Sequence, residues 1–319
     1  DLVWHVPYFR RVAATSFGGQ VSLIASPTVF ASQLVGHEAW VGDIIDFDRH
    51  PRRHEARAGR HRGVRGLFRM GVELRERRFD RIVLFTNYTN RSLVALVARI
   101  PERLGYGSTW LQRRLLSHGP YIERYRGPAV GTYEDATRFA MAQGWCDAPV
   151  VPSLVVRPEA QARVQSRLQG LPQPLHALCI GSSEPYKQWG TANFTALAAQ
   201  LAGAGHGVLL IAGPAERDMA QQILQAIDPA LRPRVRDMTD GSVADTVAAM
   251  SLVRTCLGND TGGVQIAAAV GTPTWVMLGP RPLLAHDPAT LHALTAPHLA
   301  GILPADVARI ALAEAARRT

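Results

Sequence analysis

The chain has 319 residues, 47% of them hydrophobic, with three cysteines and a formal net charge of +9. That length accommodates two ordinary domains, each with its own core. No apolar run approaches the roughly 18 residues needed to span a bilayer, no secretory signal is visible, and the three cysteines form no CxxC pair, which excludes a disulfide framework or a zinc site of known spacing and suits a reducing cytoplasm.

In chain order, apolar runs at 20–27 (QVSLIASP) and 81–87 (RIVLFTN) read as short buried strands. Between them lies the densest basic run, residues 49–69, with eight arginines and one acid, Glu55. Residues 1–150 carry 22 arginines against 14 acids, while 151–319 carry 13 basic against 12 acidic residues. A basic first half attracts anions such as phosphorylated glycan or anionic lipid; the same run also reads as a solvated loop. Phe68 is its one aromatic, which argues against a single-strand nucleic-acid platform. The stretch 146–160 bears prolines, lacks a helical period and reads as an inter-domain linker.

The second half alternates strands and helices. Strands are expected at 176–181, 207–212, 234–238, 253–257 and 274–278, with helices at 191–202, 215–227, 243–250 and 263–270. That alternation implies a doubly wound parallel sheet, whose ligands bind beyond the carboxyl ends of the strands. Four loops leave those ends: GSSEPYKQW (181–189), AGPAERD (212–218), DMTDGS (237–242) and GNDTGG (258–263). They hold hydroxyls, glycines, several acids and Lys187, the single lysine beside 34 arginines.

In GNDTGG the glycines leave bare backbone where a helix begins. The first amides there lack internal partners and the helix dipole is positive, so a phosphate can sit on them. The Thr261 hydroxyl adds a donor. Asp260 repels a phosphate directly and reads either as the helix N-cap or as a partner for a sugar hydroxyl. Ser182 and Ser183 can donate to phosphate oxygens, and Lys187 either adds a full charge or is an ordinary surface lysine. Glu216 suits the first turn of a helix, or takes a ribose diol. Neither a P-loop nor a G-x-G-x-x-G fingerprint is present.

These segments resemble the lipopolysaccharide heptosyltransferases of glycosyltransferase family 9. The resemblance rests on GNDTGGVQIAAAVGTPTWVMLGP (258–280), GSSEPYKQWGTANFTALAAQL (181–201), LLIAGPAERDMAQQI (209–223) and DLVWHVPYFRRVAATSFGGQVSLIASP (1–27). It implies an α/β chain of GT-B fold, two Rossmann-like doubly wound domains facing across a cleft. An acceptor domain would span 1–150, a nucleotide-sugar domain 151–303, and a last helix, 304–319, would pack back toward the first domain. It further implies an inverting, metal-independent transfer of a heptose from an ADP-sugar, with no cofactor, to an anionic lipid-linked glycan. The protein would be cytoplasmic, with peripheral contact at the inner face of the inner membrane and no nucleic-acid partner. By motif, Asp1 matches the general base. Ser182, Ser183, Lys187, Thr261, Gly262 and Gly263 match diphosphate contacts. Glu216, Asp260 and Gln265 fall among nucleoside and sugar contacts, and Arg52, Arg53, Arg57 and Arg60 are acceptor candidates. Gln265 stands where the family often has His. The family's first strand and glycine turn have no counterpart ahead of Asp1, which implies a fragment of a longer chain. Alternative readings are a nucleotide-sugar epimerase and a non-catalytic or altered-specificity nucleotide-sugar or glycan binder.

Overall fold

The computed structural model describes residues 2–51, 55–182, 184–282, 284 and 286–317. It divides into two compact units, Asp1–Val151 and Pro152–Thr319. The change of unit falls inside the stretch 146–160 that lacks a helical period.

The first unit runs α1 (Leu2–Ala14), β1 (Val21–Ala25), α2 (Ala31–Leu34), β2 (Val41–Asp46), α3 (Gly63–Glu76), β3 (Arg81–Leu84), α4 (Thr89–Val97), β4 (Glu102–Gly105), α5 (Trp110–Leu115) and α6 (Gly131–Ala142). Strands β1 and β2 pair in parallel, as do β3 and β4. The strands β2 and β4 are absent from the sequence expectation because both carry charge (Asp43 and Asp46, Glu102 and Arg103) within short segments. Leu67, Met70 and Leu74 on the inner row of α3 bury themselves against Ile45, Phe47 and Val94. A cavity of about 600 Å³ is lined by residues of both β1 and β3, with Phe9 of α1, Met70 and Val94 among its other walls.

The second unit runs α7 (Pro158–Arg167), β5 (Leu175–Cys179), α8 (Thr191–Gly203), β6 (Gly207–Ile211), α9 (Arg217–Ala226), β7 (Val235–Asp237), α10 (Val243–Leu252), β8 (Thr255–Asn259), α11 (Gly262–Ala269), β9 (Thr274–Met277), β10 (Leu291–Leu294) and α12 (Pro304–Ala316). All six strands are parallel, in the order β10-β9-β8-β5-β6-β7. Each expected strand and helix of this half is present within a few residues; α7 and β10 were not anticipated. Gly271 (φ +83°) ends α11 in the left-handed region, where its missing Cβ removes the steric penalty. The buried runs on β5 and β6 meet Phe194, Leu197 and Leu201 of α8. Helix α12 is built into this unit's core: it packs on α8 and β8 and buries Val307, Ala308 and Ala311 there.

At the amino edge of this sheet His176 Nε2 lies 2.9 Å from His206 Nδ1, and His176 Nδ1 lies 2.7 Å from Thr255 Oγ1. Burial lowers the His176 pKa from 6.5 to about 3, and the charges of His206 and Arg254 push the same way. The depressed value means that the unfolded chain binds the proton first. Stability from the neutral ring is therefore present above pH 6.5 and is lost as pH falls from there toward 3. At about pH 5 the loss from this ring is about 2 kcal/mol. Buried His5 and His286 are depressed in the same direction and add to the loss in any variant. Urea unfolding followed at neutral pH and near pH 5 should therefore show a loss in His176→Gln smaller than that of the wild type by about 2 kcal/mol; equal pH dependence in the two would contradict the assignment.

Candidate functional site

The strand order reverses between β5 and β8. Strands β6 and β7 lie to one side, β9 and β10 to the other. Ligands of doubly wound sheets bind at such a switch point, outside the carboxyl ends of the strands. The segments that leave those ends here are the loop after β5 with its turn at Pro185–Lys187, the turn Pro214–Glu216 after β6, the Asp260 and Thr261 corner after β8, and the segment that carries Arg281 after β9.

Asn259, the last residue of β8, is fully buried. Its Nδ2 donates to the carbonyls of Ile180 (2.9 Å) and Gly181 (3.1 Å) and to Gln188 Oε1 (2.7 Å). Its Oδ1 accepts from the Trp189 amide at 3.0 Å. One side chain thus holds both ends of the loop after β5. Gln188 adds a bond from Nε2 to the Ile180 carbonyl at 3.1 Å.

The two glycines that open α11 differ in their reasons. A Cβ on Gly262 would meet nothing within 4 Å, so its backbone faces open space. A Cβ on Gly263 would lie 2.6 Å from Cys179 Sγ, and one on Gly258 would lie 2.3 Å from Cys179 Cβ. Both are therefore glycine so that β8 and α11 can approach β5. Cys179 and Cys256, far apart in the sequence, are neighbouring buried thiols with Sγ atoms 3.6 Å apart.

The N-cap position of α11 is Thr261, in extended conformation, and its side chain makes no capping bond. Asp260 is therefore not the cap, one of the two roles its sequence position suggested. Its Oδ2 instead takes Arg281 Nη1 at 2.8 Å and faces Lys187 Nζ at 3.6 Å. Arg281 is fixed three ways, because its Nε and Nη2 also donate to the carbonyls of Leu278 (2.9 Å) and Met277 (3.1 Å). Lys187 is held more loosely, by two contacts of 3.6 Å to Asp260 and Glu184. The Glu184 carboxyl is kept below its usual range by a hydrogen bond from Tyr186 and by the charges of Lys187 and Arg281. Two carboxylates and two cations thus lie together beside an uncapped helix mouth.

The other expected residues fall as follows. The Ser182 hydroxyl donates to the Glu184 carbonyl at 2.8 Å and so shapes the loop. Glu216 Oε2 accepts the Gly213 amide at 3.1 Å, and its carboxyl carbon would lie 3.4 Å from a Cβ on Gly181. It therefore sits beside the end of β5. Gln265 is buried in α11, 7% exposed. Asp1, Ser183, Arg52 and Arg53 lie outside the described residues. In the first unit Arg57 pairs with Asp48 (2.5 Å) and Glu55 (2.8 Å), and Arg60 pairs with Glu73 (2.5 Å). These two arginines are already engaged by acids of their own unit. Among the described residues no group of three or more His, Cys, Asp or Glu side chains could hold a metal ion.

Sequence reading missed Asn259 and Arg281. Asn259 stood inside the quoted motif, but nothing in a sequence shows which polar residue will be buried among carbonyls. Arg281 was one arginine among 34, placed only by the return of β9.

Residues 67–289 match the model of glycosyltransferase family 9 (heptosyltransferase). The chain is 24% identical to lipopolysaccharide heptosyltransferase 2 of Salmonella typhimurium, over 72% of this chain and 70% of that one. Its structure is similar to that of the ADP-heptose lipopolysaccharide heptosyltransferase II of Escherichia coli, with a TM-score of 0.78, 20% identity and coverage of 100% and 96% of the two chains. A second heptosyltransferase of Escherichia coli, solved with ADP, gives a TM-score of 0.69 at 15% identity, covering 98% of this chain and 97% of that one. The fold is α/β of the GT-B class.

The fit of α11 against β5 gives a direct expectation. Gly263→Ala forces a methyl into Cys179 and should destabilise the chain by about 1–3 kcal/mol. Adding Cys179→Ala removes the opposing sulfur and should recover most of that loss in urea unfolding. A double variant no more stable than Gly263→Ala would contradict the contact.

Proposed function

The chain belongs to glycosyltransferase family 9, the heptosyltransferase family, and on that premise we propose that it is an inverting transferase that moves a heptose from an ADP-sugar to an anionic, lipid-linked glycan acceptor. The observation that carries this reading is the uncapped mouth of α11, with Thr261 and open backbone at Gly262, set beside the loosely held Lys187 at the switch point. The solved Escherichia coli relative that holds ADP supports the choice of nucleotide.

In this reading the donor's diphosphate accepts hydrogen bonds from the first amides of α11 and from the Thr261 hydroxyl. Lys187 leaves its 3.6 Å contact with Asp260 and moves onto the phosphates. Arg281 keeps Asp260 neutralised and in place for a sugar hydroxyl. Glu216 takes the ribose diol, and Gln265 adds hydrogen bonding but no proton. The acceptor oxygen attacks the anomeric carbon as the bond to the diphosphate breaks, through an oxocarbenium-like transition state. The departing ADP carries away the electron pair, and the charge that builds on it is met by Lys187 and the helix mouth. Asp1 is the assigned base that takes the acceptor's proton. The reading gives no metal or cofactor a step. Arg57 and Arg60 would exchange their acids for acceptor phosphates, beside Arg52 and Arg53. The assigned location is cytoplasmic, peripheral at the inner face of the inner membrane; no helix among the described residues is long and apolar enough to cross a membrane. Family membership favours transfer over epimerisation or binding without turnover.

The test is release of ADP from ADP-heptose by the protein with and without a lipid-linked core acceptor. Acceptor-dependent release that is abolished by Asp1→Ala is the expected result. Tight ADP-heptose binding with no turnover would overturn it. Lys187→Ala should weaken ADP binding by about 10-fold or more, about 1.4 kcal/mol; unchanged affinity in calorimetry would remove Lys187 from the diphosphate site.

A further inference from the structure

Helix α3 packs beside α4, and α4 beside α5. The inner row of α3 is spent on the core. Its outer row should be polar, yet Val64, Phe68 and Val72, spaced four residues apart, are 67%, 51% and 51% exposed. At the start of α5 Trp110 is 69% exposed and Leu111 46%. Single exposed apolar residues are ordinary on a protein surface. A line of three on one helix, with a bare tryptophan and leucine on a helix of the same layer, is not.

The charges among them are mainly positive, with Glu76, exposed one turn beyond Val72, as the one acid on that row. Arg65 and Arg69 are exposed on the same outer side of α3, and the Arg114 guanidinium lies 5.4 Å from the Trp110 ring centroid. Helices α4 and α5 contain no acid. Of the two acids in α3, Glu73 is held by Arg60 and His61.

Apolar side chains and a tryptophan interspersed with arginines match the boundary between lipid headgroups and acyl chains. There the apolar tips enter the hydrocarbon margin while the guanidinium groups stay with the phosphates. A second copy of the chain meeting this face by two-fold symmetry would set arginine against arginine. Nucleic acid would use the aromatic rings but leave Val64, Val72 and Leu111 without partners. We propose that the α3–α5 face of the first unit docks the protein onto an anionic bilayer surface. The inference deepens the reading of a lipid-linked acceptor and rests on it only for the choice of membrane.

The experiment is flotation of the full chain with vesicles of phosphatidylethanolamine and phosphatidylglycerol, and with vesicles of phosphatidylcholine alone. Binding to the anionic vesicles, weakened at about 0.5 M salt, is expected, with little binding to the neutral ones. Phe68→Ser combined with Val72→Ser should lower the partition coefficient by at least about 10-fold. Arg65→Gln combined with Arg69→Gln should lower it by about 25-fold. ADP affinity, read by calorimetry in the same variants, should be unchanged, which shows that they fold and separates this test from that of glycosyl transfer. The proposal is overturned if the wild type stays unbound on anionic vesicles, if both variants bind as the wild type does, or if the apolar variant instead dissolves a dimer of the unliganded protein.

Discussion

Two polar strand ends must meet at the centre of the second sheet, and Asn259 is what satisfies them. An amide side chain offers two donors and an acceptor, and here all are used, on Ile180, Gly181, Gln188 and Trp189. Buried backbone carbonyls at a strand end are costly when left without partners. The same side chain therefore resolves a packing problem and sets the course of the loop that carries Ser182 and Lys187. The linkage extends further, since Trp189, held at its amide by Asn259, donates from Nε1 to the Ile302 carbonyl at 3.0 Å, just ahead of α12. Removing that one amide would loosen the loop, the indole and the approach to the last helix together.

On this scaffold the charges divide their labour. Arginine presents a planar fork that can be fixed from several directions, whereas lysine is a compact charge on a flexible stem. Arg281 is used in the first way, tied to two carbonyls and to Asp260. Lys187 is used in the second way, with contacts at the outer limit of an ion pair. A site built so can accept an added anion without leaving Asp260 uncompensated. The fixed cation keeps the acid, and the mobile one is free to follow the ligand. The single lysine of an arginine-rich chain is therefore placed where its flexibility matters.

The second unit was largely legible because its strands are continuous apolar runs bounded by glycine, and buried parallel strands have that pattern. Helix α7 escaped because prolines dominate the stretch before it. In the first unit β2 and β4 were hidden by their charged residues. The site was legible as loops and less so as roles. Thr261 and Gly262 stand at the mouth of α11, but Gly263 answers to Cys179, which no local pattern shows. Asp260 proved to be a counter-ion, because its partner Arg281 is 21 residues distant. Arg57 and Arg60 looked like free cations in a basic run, yet the acids that engage them include Asp48 and Glu73, at or beyond its edges. Polarity and turn chemistry are local properties; charge pairing and close approach depend on the tertiary fold.

The central claim is that the mouth of α11 receives a diphosphate while Arg281 retains Asp260. A crystal structure of the protein with ADP tests it most directly. The account expects the β-phosphate within hydrogen-bond distance of the Gly262 and Gly263 amides and of Lys187 Nζ, with Asp260 still paired to Arg281. A diphosphate bound elsewhere, or one held by Arg281 with Lys187 still on Asp260, would contradict it.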